Sequence, residues 1–332
     1  FFFGARRPDG ARVFAAVAGV EHDGDGAAVA RGLFGVARFA VFTGIFTGAV
    51  LALLFMRVAA AIFVGVFAVF VGFVGFVGGT DNQSEVLTKM MDRIVHRGPD
   101  MGGQFIDGRV ALGFRRLSIL DLTEAGAQPM ANEDGSVVIV FNGEIYNFQE
   151  LRSELEAKGY KFHCGADTES LLHGYEEWGE AVLDRLRGMY AFVIWDKKKN
   201  KLFGARDIFG IKPLYYYPMA DAGDGAPGVL FGSEIKSFLD YPHFHKAVNK
   251  KALRPYMTLQ YSATEETFFE GVYKLPPAHY FTVDIPTGKM NIERYWDCDY
   301  SAVEKPFEEY VDELDEVVHE SVEAHRIADV KV

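Results

Sequence analysis

Val137-Val138-Ile139-Val140-Phe141-Asn142-Gly143-Glu144-Ile145-Tyr146-Asn147 reads as a buried, β-branched strand, Val137–Phe141, that runs straight into Asn-Gly-Glu. Asn-Gly is the commonest short turn signal, so the three polar residues are expected to form a turn. An Asn amide beside a Gly N–H also supplies the kind of donors that hold a developing oxyanion. Taken alone, the segment favours the turn; its neighbours in the chain shift the balance.

Four further segments occur in order: His96-Arg97-Gly98-Pro99-Asp100, Arg116-Leu117-Ser118-Ile119-Leu120-Asp121, Gly165-Ala166-Asp167-Thr168-Glu169, and Arg206-Asp207-Ile208-Phe209-Gly210-Ile211-Lys212-Pro213-Leu214-Tyr215-Tyr216. Phe231-Gly232-Ser233-Glu234-Ile235-Lys236 extends the series. From about Phe76 to the C-terminus the chain resembles the glutamine-hydrolysing domain of asparagine synthetase, a class II glutamine amidotransferase. The resemblance implies an α+β chain with the four-layer αββα fold of N-terminal-nucleophile hydrolases, and a ligase that takes ammonia from glutamine for the ATP-dependent amidation of aspartate.

The chemistry needs a nucleophile, a base, an oxyanion hole and a clamp for the amino-acid end of glutamine. A guanidinium binds a carboxylate through two parallel hydrogen bonds, which suits Arg116 to the substrate α-carboxylate; a surface Arg beside Arg115 is the plainer alternative. The resemblance assigns Arg116 that role and gives the ammonium group to Asp167, whose alternative is a cap for the helix that follows. Asn142 and Gly143 would supply the oxyanion donors, and Glu144 a further substrate contact. Arg206 and Asp207 are expected to pair with each other or with neighbours, Gly210 and Pro213 to shape a turn, and His96 to be a packed or solvated histidine.

The nucleophile departs from the family. Its motif is an amino-terminal Cys, whose own amine is the base, followed by Gly and an apolar run. In register with Gly72 and Gly75, the Cys position holds Val71. Val71 has neither a thiol nor a terminal amine, so glutamine is expected to bind without being hydrolysed. A non-hydrolysing scaffold resembling β-lactam synthetase, or a membrane-tethered glutamine-binding module, is the alternative.

Composition bounds the rest. With 332 residues and a net charge of −12, the chain has room for two domains and no basic stripe for nucleic acid. Cys164 and Cys298 are the only cysteines, too few for a disulfide framework. Both are expected in the core, in a reduced, cytoplasmic compartment, and no metal site is expected.

Residues 1–79 contain no Lys, Asn, Gln, Ser, Tyr, Trp or Cys. The expected division is a low-complexity apolar extension over 1–70, an amidotransferase domain over 71–285, and a connector over 286–332. The extension is read either as a misassigned start or as membrane sequence. Its apolar runs Phe39–Met56 and Val58–Val77 approach the ~20 residues of a membrane span, although Gly and Phe alternate in the second and a membrane partner is disfavoured. The connector carries an acidic helix over Pro306–His325, with Val311, Leu314, Val317, Val318, Ser321 and Val322 as its inner stripe. By resemblance it leads to a synthetase domain that would bind aspartate, ATP and magnesium; no cofactor is expected in the present chain, and a homodimer is left open.

Helices are further expected over Ser84–His96, with Ser84 as cap, Phe148–Lys158, capped by Asn147, Thr168–Trp178 and Ala181–Leu186. Strands are expected over Val110–Ile119, Met189–Trp195, Lys201–Ala205, Leu214–Tyr217 and Val229–Gly232.

Overall fold

A computed structural model describes residues 2–6, 12–16, 71–116, 126–262, 264–299 and 303–324. The chain divides into two compact units, Phe1–Ala59 and Ala60–Val332. In the first, strands β1 (Phe2–Arg6) and β2 (Arg12–Ala16) pair antiparallel. The apolar run Phe39–Met56 lies outside the described residues. No helix among the described residues is long and apolar enough to cross a membrane. The second apolar run ends in a strand, not a membrane helix: β3 (Gly72–Val77) is fully buried inside a sheet.

The second unit holds two six-stranded sheets. The first orders β12 (Tyr273–Lys274), β10 (Tyr215–Met219), β11 (Gly228–Gly232), β3, β5 (Val110–Arg116) and β4 (Met101–Asp107). The second orders β14 (Met290–Arg294), β13 (His279–Asp284), β9 (Lys201–Arg206), β8 (Gly188–Asp196), β7 (Val137–Ile145) and β6 (Met130–Ala131). Every pairing is antiparallel.

Side chains alternate across a strand, so a strand buried on both faces contributes to two cores. In β3, Phe73 and Val77 face the second sheet, while Val74 and Phe76 face a helix. In β8, Ala191, Val193 and Trp195 face the first sheet, while Phe192 and Ile194 face the helices behind. Helix α1 (Gln83–Asp92) covers the outer face of the first sheet with Leu87 and Met90. Helices α2 (Phe148–Ala157) and α3 (Asp167–Trp178) cover the second with Leu151, Leu171, Leu172 and Tyr175. The layers therefore run helix, sheet, sheet, helix, as the resemblance implies.

Several local expectations need correction. β7 does not turn after Phe141 but continues to Ile145, because Gly143 lets the backbone of β8 come close. Ser84 does not cap α1: the cap is Asn82, in the left-handed region, and the Ser84 hydroxyl donates to Gln104 Oε1. Asn147 sits at the N-cap of α2 with no side-chain cap bond; its amide bridges Arg185 O and Arg187 N instead. The second sheet also runs past residue 285, since β14 pairs with β13 and Tyr295 N–H donates to Ala278 O. Helix α5 (Phe307–Ala324) has the expected position, yet Val311, Leu314 and Val317 are exposed among the described residues.

The inter-sheet core concentrates the energetics. Phe231 from the first sheet and Phe281 from the second are fully buried, with ring centroids 6.5 Å apart. Phe231→Ala is expected to cost about 3–5 kcal/mol, read as a lower urea midpoint at unchanged slope; a cost below about 1 kcal/mol would contradict this packing.

Candidate functional site

Ladder register fixes which residues meet. Gly72 pairs with Arg115, so one step beyond the ladder Val71 is level with Arg116. Val71 is partly buried and packs against the inter-sheet core. The Arg97 guanidinium donates to Val71 O at 3.4 Å and pairs with Glu234. Gly98 lies directly against the backbone of Arg115 and Arg116; a Cβ there would sit 2.4 Å from both Arg115 C and Arg116 N. The His96–Asp100 motif thus seats the end of β5, where Arg116 is buried beside Met101 Sδ.

Gly143 answers a similar constraint inside β7. A Cβ at that position would lie 2.3 Å from Met189 O and 2.7 Å from Tyr190 Cα, so only glycine keeps the strands paired. Pairing continues through Asn142↔Ala191, Gly143↔Tyr190 and Glu144↔Met189. On the opposite edge β6 pairs only with Val138 and Ile139. Beyond it, side chains take over: Phe141 N–H donates to Gln128 Oε1 at 2.6 Å and Ile145 N–H to Asp167 Oδ2 at 2.9 Å. Backbone groups alternate sides along a strand, so the N–H of Gly143 points to this same edge, between the two satisfied ones.

Asn142 is 1% exposed, and neither amide atom has a hydrogen-bond partner among the described residues. A buried, unpaired amide costs free energy, about 1–3 kcal/mol. Such an expense is a signature of a group kept for a ligand.

The charged groups form a connected set. Burial first, and then the Asp167 carboxylate, push Glu144 up to about 7, with Lys212 opposing. Burial likewise raises Asp167 to about 6 against the hydrogen bonds from Ile145 and Thr168. Lys212 is buried and pushed down to about 8 by desolvation, while Glu144 and Asp207 pull it back and Arg97 adds to the fall. Tyr146 is raised by burial and by the nearby Glu144 and Asp207. Asp167 opens α3, whose N-cap is Ala166, and its carboxylate accepts both from Ile145 N–H of β7 and from Thr168 in the first turn of the helix.

The Arg206–Lys212 loop that delivers Lys212 is organised by two opposite charges that bond their neighbours, the second of the two expected arrangements. Asp207 accepts from the N–H groups of Phe209, Ile211 and Lys212, and Arg206 donates to the carbonyls of Gly210, Lys212 and Leu275. Lys212 and Arg97 stand within quoted motifs, and nothing local to the sequence assigns Lys212 a role. Its signal was a lysine set in an apolar loop beside Pro213, which becomes meaningful once the loop is buried. Cys298 is exposed and Cys164 half-buried, so neither is the core residue expected.

If Asn142 is held at a stability cost, Asn142→Leu should leave the fold as stable or raise its unfolding free energy by about 1 kcal/mol, measured by denaturant titration. A loss above about 2 kcal/mol would mean the amide has structural partners.

Comparison with known proteins places the chain in a family. The family model described as "Glutamine amidotransferase domain" matches residues 70–296. Asparagine synthetase [glutamine-hydrolyzing] 1 of Bacillus subtilis is 42% identical over 270 residues, covering 81% of this chain and 40% of that protein. Asparagine synthetase [glutamine-hydrolyzing] 2 of the same organism is 40% identical over 64% of this chain and 28% of its own length. Amidase chry2 of Gibberella zeae is 36% identical over 65% of this chain and 31% of its own. The chain thus spans two fifths or less of the length of these relatives.

Proposed function

The chain belongs to the glutamine amidotransferase domain family, and we propose that it is the glutamine-binding part of an asparagine synthetase whose hydrolytic step is silenced at Val71. Arg116 takes the α-carboxylate of glutamine, and Asp167 with Glu144 takes the ammonium group. The side-chain amide then lies along the open edge of β7, its oxygen facing the Asn142 amide and the Gly143 N–H. The observation that carries this reading is the buried Asn142 amide with no partner among the described residues.

Hydrolysis would require a nucleophile at the N-terminal end of β3. The isopropyl side chain of Val71 offers no lone pair, and as an internal residue Val71 carries no amine to act as base. The oxyanion donors and the clamp would then hold substrate without a bond being made. In this proposal the amidation of aspartate, with ATP and magnesium, falls to a further domain and the setting is cytoplasmic. A second reading, a glutamine-binding or scaffold domain serving another reaction, draws support from the relative named as an amidase.

Two experiments separate these ideas. Removing residues 1–70 together with Val71→Cys, so that the Cys becomes N-terminal, is expected to switch on ammonia release from glutamine. Val71→Cys in the uncut chain is expected to stay silent. Silence of both would remove Val71 from the nucleophile position.

Affinity for glutamine is also expected to depend on pH with a definite sign. Below about 7 and then about 6, Glu144 and Asp167 take up protons and stop attracting an ammonium group. Binding therefore weakens as pH falls from 8 to 5.5 (roughly tenfold per carboxylate neutralised), and Asp167→Asn flattens part of the profile. A flat wild-type profile would exclude both carboxylates from the clamp.

A further inference from the structure

A second cluster lies on the other side of α3's first turns and shares no residue with the glutamine clamp. Glu169, His173 and Glu176 are spaced by four and three residues, which puts them on one face of the helix. That face meets the segment Met130–Glu133 across a cavity of about 310 Å³, whose walls include Glu133, His163, Cys164, Glu169 and His173. The ligand atoms of Glu133, His173 and Glu176 all lie within 4.8 Å of one another.

The imidazole of His173 is the centre of the cluster. It is 1% exposed and wedged between the rings of Tyr160 and Phe162, whose centroids lie 5.2 and 5.0 Å away. Its Nδ1 stands 2.8 Å from Glu176 Oε2, and Glu176 Oε1 accepts from the Asn132 amide at 2.6 Å. A carboxylate can only accept, so Nδ1 carries the proton and a neutral ring leaves a lone pair on Nε2. That Nε2 has no hydrogen-bond partner among the described residues. It faces Glu133 Oε1 and Glu169 Oε1, each 3.9 Å away. Glu169 is itself kept anionic by backbone N–H donors from His163 and Cys164.

The Nε2 lone pair of the neutral ring faces two carboxylate oxygens, each at a separation that a cation would bridge. Bonds of about 2.0–2.2 Å from imidazole nitrogen and carboxylate oxygen close such gaps with small side-chain rotations. The half-exposed Glu133 is able to make them. A carboxylate that orients the remote nitrogen of a histidine is the usual support of a metal ligand. One imidazole with two carboxylates suits a transition metal better than magnesium or calcium, which prefer oxygen alone.

We propose that His173 Nε2, Glu133 and Glu169 bind a divalent cation of the zinc class, with Glu176 as the positioning residue for the imidazole. The ion ties α3 to the segment after β6. It thereby braces the helix whose first residue is Asp167. This site stands independently of whether the chain binds or hydrolyses glutamine.

The test uses the full chain, stripped of metal with chelator and dialysed. Zinc chloride alone is titrated by calorimetry, with thermal unfolding followed in parallel. One equivalent is expected to bind and to raise the Tm, while magnesium chloride does neither. Glu133→Gln, at a half-exposed position that folding tolerates, is expected to abolish both signals. Glu176→Gln is expected to weaken binding about 10- to 100-fold. A chain whose Tm is indifferent to zinc would mean that a proton on His173 fills the gap between the carboxylates, and would overturn the proposal. So would a Glu133→Gln variant that binds zinc like the parent.

Discussion

Everything at the candidate site depends on how closely β7 and β8 approach at Gly143. With Met189 O and Tyr190 Cα inside the distance at which any Cβ could stand, the pair stays zipped from Val137 to Ile145. The strand therefore carries Asn142 and Glu144 into the site as rigid ladder residues rather than as a hairpin tip. Rigidity matters because donors aimed at a developing charge work by being already in place. The other edge of the same strand is left to side chains: Gln128 and Asp167 take the N–H groups on either side of Gly143.

The second constraint is electrostatic. Glu144, Asp167 and Lys212 are brought together in a desolvated corner, and burial moves each toward its neutral form. Lys212 and Glu144 offset each other, and the ladder of loop hydrogen bonds around Asp207 and Arg206 holds Lys212 there. A fold that buries three ionisable groups together gives up stability at that corner. The three apolar cores carry the fold elsewhere, with Phe73, Phe114, Phe203, Phe231 and Phe281 all buried.

Much of this was legible in the residues. The continuous apolar strands at Val137, Met189, Lys201 and Val229 were readable because burial on both faces leaves uninterrupted β-branched and aromatic runs. α1, α2 and α3 announced themselves through helical spacing. β4 did not: Met101–Asp107 contains two glycines and alternates between exposed and half-buried positions, so it lacks an apolar run. α4 (Lys250–Leu259) escaped for a different reason, since Pro255 stands inside it and only Ala252 is buried. Asn142, Gly143, Glu144, Arg116 and Asp167 stood out through motif order. The extension of β7 past Phe141 was hidden, because it follows from the approach of β8 and not from any local preference of Asn-Gly. Lys212 and His173 were equally hidden: their significance comes from what distant strands and helices place around them.

In the proposed function the site keeps a glutamine clamp and lacks its nucleophile. The most direct test is calorimetric titration of glutamine into the full chain, with ammonia assayed in the same cell contents. Saturable binding of one glutamine with no ammonia released is the predicted result. Ammonia release at a catalytic rate, or no binding at all, would contradict it.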